Sequence, residues 1–150
     1  GRQLYRTLQV VYTIDPVFSV SVDSGLDGGL NYRDMTPGEG AVEKLIKVKI
    51  STNRHRPYKL IQSAAKLMTD PLGRTLPESS FRVRGIKTQD IGGMMEYERD
   101  TPISTGDMTL YTSDDDGTSE ELQLVYTLEV PGGSPSGDYG AALNFTLVEK

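Results

Sequence analysis

From Leu122 to Val130 five apolar residues share one parity, Leu122, Leu124, Tyr126, Leu128 and Val130, set against Gln123, Thr127 and Glu129. From Tyr139 to Val148 the alternation returns, with Tyr139, Ala141, Leu143, Phe145 and Leu147 against Gly140, Asn144 and Thr146. Strand side chains point to the two faces in turn, so each run offers one apolar face to a core and one polar face to water. The link Pro131-Gly132-Gly133-Ser134-Pro135-Ser136-Gly137 extends neither strand and lets the chain reverse. The pattern predicts two long antiparallel strands in an all-β domain.

The same period runs through the rest. From Leu4 to Val22 the even positions, except Arg6, are residues a core accepts, and Asp15-Pro16 interrupts the run. Proline has no N–H for a ladder, so one strand broken there, with its second half changing sheets, is the economical reading. Asp23 to Gly29 is turn-rich, Leu30-Asn31-Tyr32 is short, and Thr36-Pro37-Gly38-Glu39-Gly40 is a turn signal. Val42 to Thr52 is a strand with Ile46, Val48 and Ile50 inward and Leu45, Lys47, Lys49 and Ser51 outward. Asn53 to Pro57 turns the chain, and Tyr58 to Gln62 reads as the antiparallel partner of that strand. Ser63 to Asp70 has the one helix-like composition, too short to stand alone, and is expected as a loop or single turn. Short strands follow at Phe81–Arg84, Met94–Tyr97 and Met108–Tyr111. About eight to ten strands separated by turn signals predict one immunoglobulin-like antiparallel β-sandwich over residues 1–150.

Composition narrows this little. The formal net charge of −5 is modest and argues against a nucleic-acid binder. The chain has no cysteine, which excludes disulfides and thiolate metal sites. No apolar run is long enough for a membrane-spanning helix. The chain opens at Gly1, which we read as a cloning scar, with a leader removed upstream.

Four constellations carry candidate chemistry. His55, the single histidine, lies in Asn53-Arg54-His55-Arg56-Pro57 with neither a nucleophile nor an orienting acid at a recognisable spacing. An exposed turn residue is the plain reading, and no catalytic residue is expected. Asp114, Asp116, Thr118 and Glu120 supply alternate oxygens around Gly117 and could converge on calcium, although a solvated acidic loop is the simpler account. Lys47 and Lys49, Arg82 and Arg84, and Arg54 and Arg56 would form a basic patch for anionic polymers if their strands are neighbours. Outward lysines also serve solubility and edge protection. Residues 4–14 form a terminal strand that pairs within its own sandwich or is lent to another subunit.

The pieces Val17-Phe18-Ser19-Val20-Ser21-Val22, Leu30-Asn31-Tyr32 with Thr36-Pro37-Gly38-Glu39, Arg56-Pro57-Tyr58-Lys59-Leu60, and Gly137-Asp138-Tyr139-Gly140 through Asn144-Phe145-Thr146-Leu147 come in an order similar to secreted bacterial β-sandwich domains of the pilin, spore-coat-U and adhesin kind. Chaperone-assembled pilins usually carry a disulfide, which this chain lacks. The resemblance implies export to the periplasm or cell surface and a structural or adhesive role. Two alternatives stand beside it: a fibre subunit joined by strand exchange through residues 4–14, and a carbohydrate-binding accessory domain, with calcium as an optional aid. Protein or envelope polysaccharide is the expected partner, and a hydrolase is the least favoured reading.

Overall fold

The computed structural model describes residues 16–23, 36–135 and 139–150, without the side chains of 65–67. The run 4–14 and the segment holding Leu30-Asn31-Tyr32 lie outside the described residues. Among the described residues there are nine strands: β1 (Phe18–Asp23), β2 (Ala41–Thr52), β3 (Tyr58–Thr69), β4 (Phe81–Ile86), β5 (Met94–Met95), β6 (Thr101–Pro102), β7 (Gly106–Thr112), β8 (Glu120–Glu129) and β9 (Gly140–Glu149). One 3-10 turn, Glu78–Ser80, leads into β4. No helix among them is long and apolar enough to cross a membrane.

The strands form two antiparallel sheets ordered β1-β2-β8-β4-β6 and β5-β7-β3-β9, which face each other as an all-β sandwich. From β2 onward every connection crosses from one sheet to the other. The pairs β2·β8, β3·β7 and β4·β6 nest like the arms of one long hairpin. The pairs β4·β8, β5·β7 and β3·β9 form where that hairpin rolls onto itself. This is the jelly-roll way of closing two layers.

Parity places the core as the alternation requires. Ile46, Val48 and Ile50 of β2, Leu60 of β3, Val83 of β4 and Leu122, Leu124 and Tyr126 of β8 are all buried in it. Burying one such side chain contributes about 1.5–3 kcal/mol, which makes this shared face the main source of stability.

Three expectations are corrected. Tyr58 to Gln62 is not paired with the preceding strand, because residues 53–57 arch between the sheets and β2 pairs with β1 and β8. Likewise the two C-terminal runs are both strands but not partners: β8 lies between β2 and β4, whereas β9 pairs with β3. Ser63 to Asp70 is strand rather than loop up to Thr69, with register shifts at Ala64/Lys66 and Lys66/Thr69. Ala64 and Met68 are buried, and ladder pairing overrides a helix-like local composition.

Candidate functional site: a loop cluster around His55

The arch 53–57 is fastened on both sides. Asn53 accepts the Val17 N–H through Oδ1 at 2.7 Å and donates its own N–H to the Val17 carbonyl at 3.1 Å. His55 is exposed at the tip with φ 55°, a left-handed conformation that histidine adopts more readily than most residues. Arg54 lies 5.0 Å from the centre of the Phe18 ring and forms an ion pair with Glu149 of β9. Arg56 is 3.9 Å from the same carboxylate and mostly exposed, so its pairing contributes little.

The 113–119 loop packs beneath this arch. Ser113 donates its N–H to the Tyr58 carbonyl at 2.9 Å and accepts the Tyr58 N–H at its hydroxyl at 2.8 Å. Ser119 makes the equivalent pair with the Thr52 backbone, accepting at 2.9 Å and donating at 3.0 Å. Asp114 accepts both the N–H and the hydroxyl of Thr118, at 3.0 and 2.8 Å. The Tyr58 hydroxyl donates to the Thr118 carbonyl at 2.6 Å. A third loop closes the cluster, with Gly92 donating its N–H to Glu120 at 3.0 Å and Gly93 to the Tyr111 hydroxyl at 3.0 Å.

Of the four oxygen residues considered for calcium, Asp114 and Thr118 are bonded to each other and Glu120 is turned to Gly92, while Asp116 is exposed. Among the described residues no group of three or more histidines, cysteines or acids is arranged to hold a metal. Local composition brought His55 and the acidic run to notice. Tyr58, Tyr111, Ser113, Ser119 and Gly92-Gly93 carried no such signal, because their partners lie far away in sequence.

Burial in this cluster pushes the Tyr111 phenol up to about 12, helped by the nearby Glu120 charge and opposed by the Gly93 N–H. Burial also raises Tyr58 well above the ordinary phenol range, with Tyr111, Glu120 and Asp114 adding to it. Stability from a raised phenol is fully present below its unfolded pKa of about 10 and is lost as pH rises through the folded value. Alkaline titration at the tyrosinate absorbance band is therefore expected to show a late fraction, absent from Tyr58→Phe/Tyr111→Phe, that appears together with loss of structure.

At the far end of β3 the Asp70 carboxylate is buried. It accepts the N–H of Leu72 at 3.1 Å, that of Arg74 at 2.7 Å, and Arg74 Nε at 2.6 Å. Burial alone would push this carboxyl up, but the bonds and charge of Arg74 and the Leu72 N–H outweigh it and leave the pKa lowered. The Thr118 N–H and hydroxyl lower that of Asp114. A depressed carboxyl contributes stability present above its unfolded pKa of about 3.9 and lost as pH falls through the folded value. Urea midpoints measured at decreasing pH are expected to drop below about pH 4, and to drop less in Asp70→Asn and Asp114→Asn.

The basic residues divide between two places. Arg54 and Arg56 belong to the loop cluster, whereas Lys47 and Lys49 on β2 and Arg82 and Arg84 on β4 share one sheet, with β8 between them. Arg82 lies 3.7 Å from Asp100 and 3.3 Å from Glu129, and Arg84 lies 3.4 Å from Asp100 and 3.6 Å from Glu43. Lys47 is opposite Asp23, and Lys49 is opposite Glu121. The resulting face is mixed in charge. Beneath its arginines Val125 and Thr127 are buried although they point outward, and the Thr127 hydroxyl has no partner. Every aromatic side chain among the described residues belongs to the core or packs against it.

No protein-family model matches the chain, and a search of curated proteins finds no significant match.

Proposed function

We propose that this chain is an exported structural or adhesive module of a bacterial envelope, working through its loops and sheet faces and not by catalysis. The observation that carries this reading is how the polar groups of the loop cluster are used. Glu120, Tyr58, Tyr111, Ser113 and Ser119 all bond from one loop or strand to another. Such cross-bonding suits a module that must hold its shape under load. The envelope location rests on the similarity to secreted sandwich domains. A glycan-binding role finds less support, since the described sheet faces offer no aromatic platform for sugar rings.

The test is to place a tag within the full reading frame in its native cell, then fractionate and treat intact cells with protease. Recovery of the tag in the envelope or medium, and its removal from intact cells, is the expected result. Confinement to the cytosol would overturn the proposal.

A further inference from the structure

The connection from β4 to β6 is anchored to the sandwich by a single buried side chain. From Lys87 to Asp100 every residue is exposed or half-buried except Met95. Met95 lies on the two-residue strand β5 and is 5% exposed, beside Met94 at 57%. Its side chain crosses from one sheet to the other, and its Cε lies 2.1 Å from where a Cβ at Gly85 of β4 would stand. Gly85 faces the core in step with Phe81 and Val83, so the glycine leaves a hollow that the Met95 methyl fills. Around this plug the Gly85 N–H donates to the Tyr97 carbonyl at 2.6 Å, and the Glu96 N–H donates to the Leu110 carbonyl at 3.0 Å. The ladder with β7 is limited to Met94 with Thr112 and Met95 with Tyr111.

We propose that Met95 is an oxidation-sensitive latch, and that its conversion to the sulfoxide releases residues 87–100 from the sandwich. The oxidant is a hydroperoxide. The thioether sulfur attacks its terminal oxygen, the S–O bond forms as the O–O bond breaks, sulfur gives up an electron pair, and the other oxygen leaves as water or an alcohol. The product is polar and one oxygen larger, in a hollow that the methyl group already fills. A buried polar oxygen without a donor is costly, so the oxidised side chain stays out. A short element with one buried anchor opens locally more often than the strands it leaves, and that opening lets oxidant reach the sulfur. Met68 and Met108 are buried too, but on β3 and β7, strands of twelve and seven residues at the centre of their sheet. The order of reaction is therefore Met94 first, then Met95, with Met68 and Met108 last. This inference does not depend on the export reading.

The chain has no cysteine, so mild hydrogen peroxide acts on its methionines. Full-length protein is sampled during such treatment, and peptide mass mapping assigns each sulfoxide. Brief trypsin digestion reads the release, through cleavage after the exposed Lys87 and Arg99. Met95 is expected to oxidise after Met94 and well before Met68 and Met108. Cleavage at the two sites is expected to rise at least about tenfold in chains that carry Met95 sulfoxide, because proteolysis follows the population of the open form. Sulfoxide reductase with thiol is expected to restore resistance. Met95→Leu keeps the volume without the sulfur and is expected to stay resistant after the same treatment. Oxidation of Met95 no faster than that of Met68 and Met108 would overturn the proposal, as would equal cleavage of oxidised Met95→Leu. Where that variant folds poorly, the parent protein still decides: Met95 sulfoxide is expected among the cleaved chains, and its accumulation in chains that trypsin leaves whole would overturn the latch.

Discussion

Gly117→Ala is expected to lower the unfolding free energy by roughly 3 kcal/mol, towards the upper end of what single substitutions cost. Two effects combine at this position. Gly117 has φ 62°, a conformation that costs an alanine about 1–2 kcal/mol. Its added Cβ would also lie 2.0 Å from the Arg56 carbonyl oxygen and 2.6 Å from the carbonyl carbon. Backbone cannot swing aside as a flexible side chain can, so the 113–119 loop would have to lift off the arch that carries His55. Gly73→Ala isolates the first effect, since Gly73 has φ 82° with nothing within 4 Å of a new Cβ. Urea unfolding of both variants separates strain from collision. Equal losses would mean that the loop cluster yields without cost.

The sequence discloses those features whose cause is local. Parity along Val42–Thr52 and Leu122–Val130 identifies the inward side chains because alternation is a property of the strand itself. Partners are another matter. The Pro/Gly/Ser link after Val130 and the turn at 53–57 each look like the bend of a hairpin, but a turn-rich stretch does not reveal whether the chain returns in the same sheet or crosses to the other. Here both cross, and strands far apart in sequence become neighbours, as in the pairing of Ala41 with Glu129. Ser63 to Asp70 misleads for a related reason, since its strand state comes from pairing with β9 as far as Thr69, joined by β7 only at Ser63 and Ala64. The loop cluster follows the same rule: Asp114 and Thr118 could be foreseen as neighbours, whereas the Gly93 contact with Tyr111 could not. The basic patch fails to emerge as a single surface because its arginines are interleaved with Glu43, Asp100 and Glu129, which come from three separate segments.

Tyr126→Phe is expected to cost roughly 2 kcal/mol, a large effect for the loss of one oxygen. Tyr126 on β8 donates its hydroxyl to Gln62 Oε1 on β3, a bond that joins the two sheets through the core. Both residues are fully buried, so water cannot replace the lost donor. The remaining contact of the amide, from Nε2 to the Met108 sulfur at 3.9 Å, is weak and does nothing for the oxygen. An unsatisfied buried acceptor retains its desolvation penalty, whereas removing both polar partners at similar volume is close to neutral. The double variant Gln62→Leu/Tyr126→Phe is therefore expected to regain about 1 kcal/mol or more relative to Tyr126→Phe. Chemical denaturation of the two single variants and the double variant measures the coupling directly. If Tyr126→Phe stays within about 0.5 kcal/mol of the parent, Gln62 has found another donor, and the bond does not fix how the sheets face each other.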